Sequence, residues 1–82
     1  MSKYSCPCCG YLVYEENPSG SYEVCPVCYW EYDDIQNENE NYIGGANGLS
    51  LKQARINFRN FGAIQEKFRK FTRLPNLLEQ PN

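Results

Sequence analysis

The sequence contains no histidine. Any transition-metal site must therefore be built from cysteine thiolates, or borrow a carboxylate, and a cysteine–histidine catalytic pair is excluded. Long apolar runs are missing as well. No stretch is long enough to span a bilayer, and Met1-Ser-Lys-Tyr-Ser5 leads straight into cysteines without the apolar segment of a secretory signal. The expectation is a cytoplasmic chain with no membrane partner, in a reducing compartment where paired cysteines hold metal more often than each other. An even cysteine count is lacking too, because five cysteines do not close a disulfide framework. Finally, the chain is short. Its 82 residues make one domain at most, near the size where a metal, a disulfide or a partner subunit is needed as a staple.

What is present is distributed unevenly. Residues 1–49 hold Lys3 against eight acids, a net of −7, whereas residues 50–82 hold seven bases against Glu66 and Glu79, a net of +5. Such a chain can fold so that its halves neutralise each other, or it can offer a basic face to an anionic partner.

Residues 3–32 are rich in cysteine, tyrosine and glycine. Tyr11–Tyr14 and Ser21–Val24 flank a turn punctuated by Pro18 and Gly20, which predicts a β-hairpin whose two ends carry the cysteine pairs. Residues 33–49 are expected to form a polar loop ending in Gly44-Gly45-Ala46-Asn47-Gly48. A helix then begins at Ser50, with Gln53 completing a capping box. Leu51, Ala54, Phe58 and Phe61 fall on one stripe, and Gly62 ends or kinks the helix. Ala63–Phe71 predicts a second helix, with Ile64, Phe68 and Phe71 as its apolar face, stopped by Pro75. The tail from Asn76 is expected to be loosely held.

The chemistry sits in Cys6-Pro7-Cys8-Cys9-Gly10 and Cys25-Pro26-Val27-Cys28-Tyr29. Two Cys-Pro-x-Cys turns separated by fifteen residues match the spacing of four-thiolate zinc sites. Two sulfurs three positions apart on a tight turn can reach one tetrahedral ion at about 2.3 Å each. Gly10 permits a positive φ, so that backbone N–H groups can turn toward the thiolates. The expectation is one Zn2+ per chain on Cys6, Cys9, Cys25 and Cys28, in a zinc ribbon. Iron uses similar four-thiolate turns and is not excluded by sequence. A thioredoxin-like pair would need one Cys-x-x-Cys opening a long helix, and both pairs here flank β-prone sequence. Cys8 is surplus, either a reactive thiol beside the site or a partly buried packing residue.

These residues carry a family resemblance. Cys6-Pro-Cys-Cys-Gly10, Cys25-Pro-Val-Cys-Tyr-Trp-Glu31, Gly44-Gly-Ala-Asn47, Ser50-Leu51, Asn57-Phe58 and Phe61-Gly-Ala63 resemble the bacterial cysteine-rich CPCC family, as do Arg73, Pro75 and Glu79 in the tail. The resemblance implies a small one-domain protein with a metal site, in a family without a well-established activity whose members are sometimes labelled hydrolases.

Trp30 is expected to pack over the ribbon and against the helix. Asn37-x-Asn39-x-Asn41 lacks the glycine and glutamate of a calcium loop. Gly44–Asn47 precedes a helix N-terminus, but no Gly-Lys-Ser/Thr follows, so it is expected to pack as a tight loop with Asn47 bonding to backbone. Arg55 and Arg59 share a helix face, and a basic face can bind phosphates. A pI near 5.0 argues against non-specific nucleic-acid binding. The sequence thus points to a small α+β domain over 1–82: ribbon and polar loop over 1–49, two short amphipathic helices over 50–73, and a tail over 74–82. Its expected role is a non-enzymatic interaction module that meets a protein partner or forms a homo-oligomer. The rivals are a nucleic-acid-binding ribbon and a hydrolase or thiol enzyme using Cys8.

Overall fold

The structure is a computed structural model and describes residues 3–81. Strands β1 (Tyr4–Ser5) and β2 (Leu12–Tyr14) pair antiparallel across the first cysteine turn, Tyr4 opposite Tyr14 and Ser5 opposite Leu12. The second turn is bracketed by a single bridge between Val24 and Glu31. This corrects the expected hairpin. Tyr11–Tyr14 supply β2, but the partner of β2 precedes Cys6, and Ser21–Val24 do not form a strand alongside it. The cause lies outside the segment. The Ser19 hydroxyl and the Gly20 N–H both donate to Asp34, at 3.0 and 2.9 Å, and Tyr22 is drawn into a left-handed conformation, φ 56°, that a strand cannot contain.

The expected polar loop contains a short helix, α1 (Asp34–Glu38). Asp33 caps it, accepting from the Ile35 and Gln36 N–H groups with one oxygen and from Ala46 N–H with the other, at 2.8 Å. Burial raises the Asp33 carboxyl, but these three donors outweigh burial and hold it below its ordinary value. Gln36 is wholly buried and fully used: its amide donates to the Tyr42 and Leu49 carbonyls and accepts from Asn47. Asn47 in turn grips both backbone groups of Glu31. Gly45 passes so close that a Cβ there would lie 2.6 Å from Asp33 Oδ2 and Gln36 Cδ. The loop therefore packs tightly, with Asn47 on backbone as expected.

Helix α2 (Leu51–Phe61) begins at Ser50, whose hydroxyl accepts from Gln53 N–H, and ends at Gly62 in the left-handed conformation. The reciprocal half of the expected capping box is replaced, since the Gln53 amide donates to Asn57. Leu51 and Ala54 are fully buried in the cysteine-bearing core with Val27 and Trp30. Phe58 is half-buried, edge-on to Tyr11, and Phe61 is 38% exposed, so the last turn overhangs the small core.

The expected second helix over Ala63–Phe71 shortens to a 3₁₀ helix at Glu66–Phe71. Ile64 N–H donates to the Cys28 carbonyl at 2.9 Å, and that long-range bond draws the chain off a helical path. Nor is the tail loose. Arg73 N–H donates to the Pro26 carbonyl, and a 3₁₀ turn at Leu77–Glu79 is closed by an Asn76–Glu79 capping box. Arg73 forks onto both oxygens of the buried Glu79 at 2.8 and 2.6 Å, which holds that carboxyl below its ordinary value. Among the described residues no helix is long and apolar enough to cross a membrane.

Candidate metal centre

The two cysteine turns are built alike. Cys6 N–H donates to the Tyr11 carbonyl at 2.9 Å and Gly10 N–H to the Cys6 carbonyl at 2.8 Å. In the second turn Cys25 N–H donates to Trp30 and Tyr29 N–H to Cys25, both at 2.8 Å. Both turns close on a left-handed residue, Gly10 at φ 81° and Tyr29 at φ 76°. Tyrosine pays a steric penalty there, and stacking of its ring on Phe68 and Phe71, at 4.5 and 5.6 Å, helps hold it.

These turns bring four sulfurs together. The Sγ atoms of Cys6, Cys9, Cys25 and Cys28 all lie within 4.8 Å of one another. Cys6 and Cys28 are 3.6 Å apart, and Cys9 and Cys25 are 3.7 Å apart. A disulfide would need about 2.05 Å, and all five cysteines are free thiols. A tetrahedron with bonds of about 2.3 Å has an edge of about 3.8 Å, so the quartet fits a single ion of that kind. Backbone donors reach two of the sulfurs: Val27 N–H points at Cys25 Sγ and Trp30 N–H at Cys28 Sγ, each at 3.4 Å. Such donors orient thiolates and disperse their charge. They follow from turn closure, which sequence spacing hints at through Gly10 but does not resolve.

Burial raises the Cys6 thiol, and contact with Cys25 raises Cys9 and Cys28. The same contacts, from Cys28 first, draw Cys25 down. Thiolates packed this closely repel one another, so the quartet as a whole resists ionisation without a counter-charge. A cation relieves this crowding, and binding it displaces the remaining thiol protons.

The other candidate residues are not members of the quartet. Cys8 is 8% exposed and packs in the core, in keeping with the packing alternative. Trp30 is fully buried, with its indole N–H on the Asn37 side chain at 2.9 Å. Asn37 is thereby committed to holding the tryptophan, and Asn39 caps the Asn41 N–H. Sequence reading missed Tyr14, buried at 3% exposure beside the quartet, with a hydroxyl that has no hydrogen-bond partner in ordinary geometry among the described residues.

The cysteine-rich CPCC family model matches residues 4–79, and the chain belongs to that family. Comparison with curated proteins gives no match.

Proposed function

We propose that Cys6, Cys9, Cys25 and Cys28 hold one Zn2+ as the structural staple of a zinc-ribbon-like, non-enzymatic interaction module of the cytoplasm. The observation that supports the metal reading is the sulfur quartet itself, four donors within 4.8 Å of one another. When bound, zinc would cross-link the two turns. Four thiolates fill its coordination shell and leave no position for a reacting water, which is the mark of a structural site. Cys8 supports the same reading, because its burial leaves a substrate little access and no histidine is present to activate it.

A second reading, nucleic-acid binding, is favoured by several helical-half bases that have no carboxylate partner among the described residues. The acidic pI weighs against it.

The test is metal content by mass spectrometry on protein purified without added metal. One zinc per chain is expected, retained in Cys8→Ala and lost in Cys9→Ala or Cys25→Ala. Visible absorbance with one iron per chain would keep the site and replace the ion. Loss of metal from Cys8→Ala alone would overturn the ligand set.

A further inference from the structure

Seven bases lie on the helical half, and among the described residues two of them have carboxylate partners, Arg55 with Glu40 and Arg73 with Glu79. Lys52, Arg59, Lys67, Arg69 and Lys70 have none. The same half leaves large aliphatic side chains in solvent. Leu74, Leu77 and Leu78 are 88, 90 and 76% exposed. They are not on a loose tail. Arg73 ties the chain to the Pro26 carbonyl and to Glu79, and the Asn76–Glu79 box fixes the following turn, which packs beside β2. A fixed apolar surface loses little conformational freedom on binding, which favours association.

Leu74 also lines a groove of about 260 Å³ with Val27, Phe58 and Phe61, and Arg69 and Arg73 are its charged groups. Among the described residues no acidic side chain lines it. Its volume falls below the roughly 300–1,000 Å³ of sites that enclose a small molecule, and suits a large side chain or two delivered by a peptide. Arg73 is neutralised by Glu79, so among the described residues Arg69 is the free guanidinium at this groove.

We propose that this groove docks an acidic amphipathic segment of a partner protein. An apolar side chain of that segment enters against Phe58 and Phe61, and its flanking carboxylates meet Arg69 and the neighbouring unpaired bases. The assignment rests on the interaction-module reading and gives that reading its partner chemistry. Charge complementarity selects the acidic partner. The acidic pI of the whole chain weighs against a nucleic acid as the occupant.

The experiment is selection of a random peptide library displayed on phage against the zinc-loaded full chain. Enriched peptides are expected to carry a large apolar residue flanked by aspartate or glutamate. Arg69→Glu and Leu74→Ser should each weaken a selected peptide by at least about tenfold with zinc content and circular dichroism unchanged. Lys52→Glu, nine residues before Phe61 on α2 and so about 13 Å away along the helix axis, should change it little. Replacing the acids of the peptide with lysine should restore binding to Arg69→Glu. Peptides insensitive to both groove variants would overturn the groove and leave the module reading standing. An absence of any enriched peptide would overturn both. Sedimentation showing a dimer that Leu74→Ser dissociates would assign the groove to a second copy instead. A duplex DNA shift lost in Arg69→Glu but indifferent to Leu74→Ser would assign the face to phosphates.

Discussion

A phenol hydroxyl taken out of water without a partner costs about 1–3 kcal/mol, so the solitary Oη of Tyr14 calls for a physical account. Its ring is held edge-on against Tyr32, with centroids 5.4 Å apart, and the side chain sits within the cysteine core. Burial pushes its pKa upward, and negative charge on Cys6, Cys25 and Cys28 adds to the effect, so the hydroxyl keeps its proton. A protonated hydroxyl beside a metal-bound thiolate is a ready hydrogen-bond donor, and Cys6 is the sulfur it approaches. Donors of this kind typically change metal affinity about 10–100-fold. Tyr14→Phe is therefore expected to fold normally and to lose zinc affinity by about tenfold in competition with a chromogenic chelator. If affinity held and the thermal midpoint rose, the hydroxyl would be a buried orphan whose removal relieves the fold. Tyr29 shows a related economy at the same scale. Its left-handed backbone closes the second turn as Gly10 closes the first, and its ring stacks on Phe68 and Phe71, an anchor that glycine would lack.

Among the elements, α2 carries the clearest energetic ranking. Leu51 is wholly buried, Phe58 is half-buried and Arg59 is exposed without a carboxylate partner among the described residues. Leu51→Ala is expected to cost about 2–5 kcal/mol in denaturant unfolding. Phe58→Ala should cost less than the roughly 3–5 kcal/mol of a fully buried ring, and Arg59→Glu within about 1 kcal/mol. Equal losses for Leu51→Ala and Arg59→Glu would mean that charge, and not packing, seats the helix. This helix was the element most legible in the sequence, because its signals are local: Ser50 at the start, a 3.6-residue stripe, Gly62 at the end. The sulfur quartet was legible for the same reason, since spacing along a turn sets spacing in space. Elements decided by distant contacts were not. Strand β2 chose the segment before Cys6 once Asp34 had claimed Ser19 and Gly20. Helix α1 stayed hidden because its buried residue is Gln36, and a polar side chain satisfied by Asn47, Tyr42 and Leu49 leaves no trace in a hydrophobic pattern. The 3₁₀ stretch fell short of a helix because Ile64 gave its N–H to Cys28.

At the scale of the molecule, the opposed charges of the two halves contribute little to holding them together. Of the three ion pairs among the described residues, Arg55–Glu40 alone joins the acidic half to the basic one, and both side chains are substantially exposed. The joints are instead hydrogen bonds onto backbone carbonyls of the cysteine turns. Ile64 N–H reaches the Cys28 carbonyl, Arg73 N–H reaches the Pro26 carbonyl, and Arg55 Nε reaches the Pro7 carbonyl at 2.9, 3.1 and 3.0 Å. Leu51 and Ala54 bury against the same turns. The helical half is therefore seated on the part of the chain whose shape the metal would fix. Structural zinc contributes apparent free energies of about 10–16 kcal/mol in small zinc peptides, comparable to the roughly 5–15 kcal/mol that separates a whole folded protein from its unfolded state. Exhaustive chelation is therefore expected to unfold more than the N-terminal half. The helical circular dichroism of α2 and the near-ultraviolet signal of the buried Trp30 should disappear together, at one chelator concentration, and return together on adding zinc. Molar salt should move the thermal midpoint by only a few degrees, because the one ion pair that bridges the halves is exposed and screened. A helical signal that outlasts the tryptophan signal through chelation would show that the halves fold independently, and that the three joints follow the docking of α2 and do not create it.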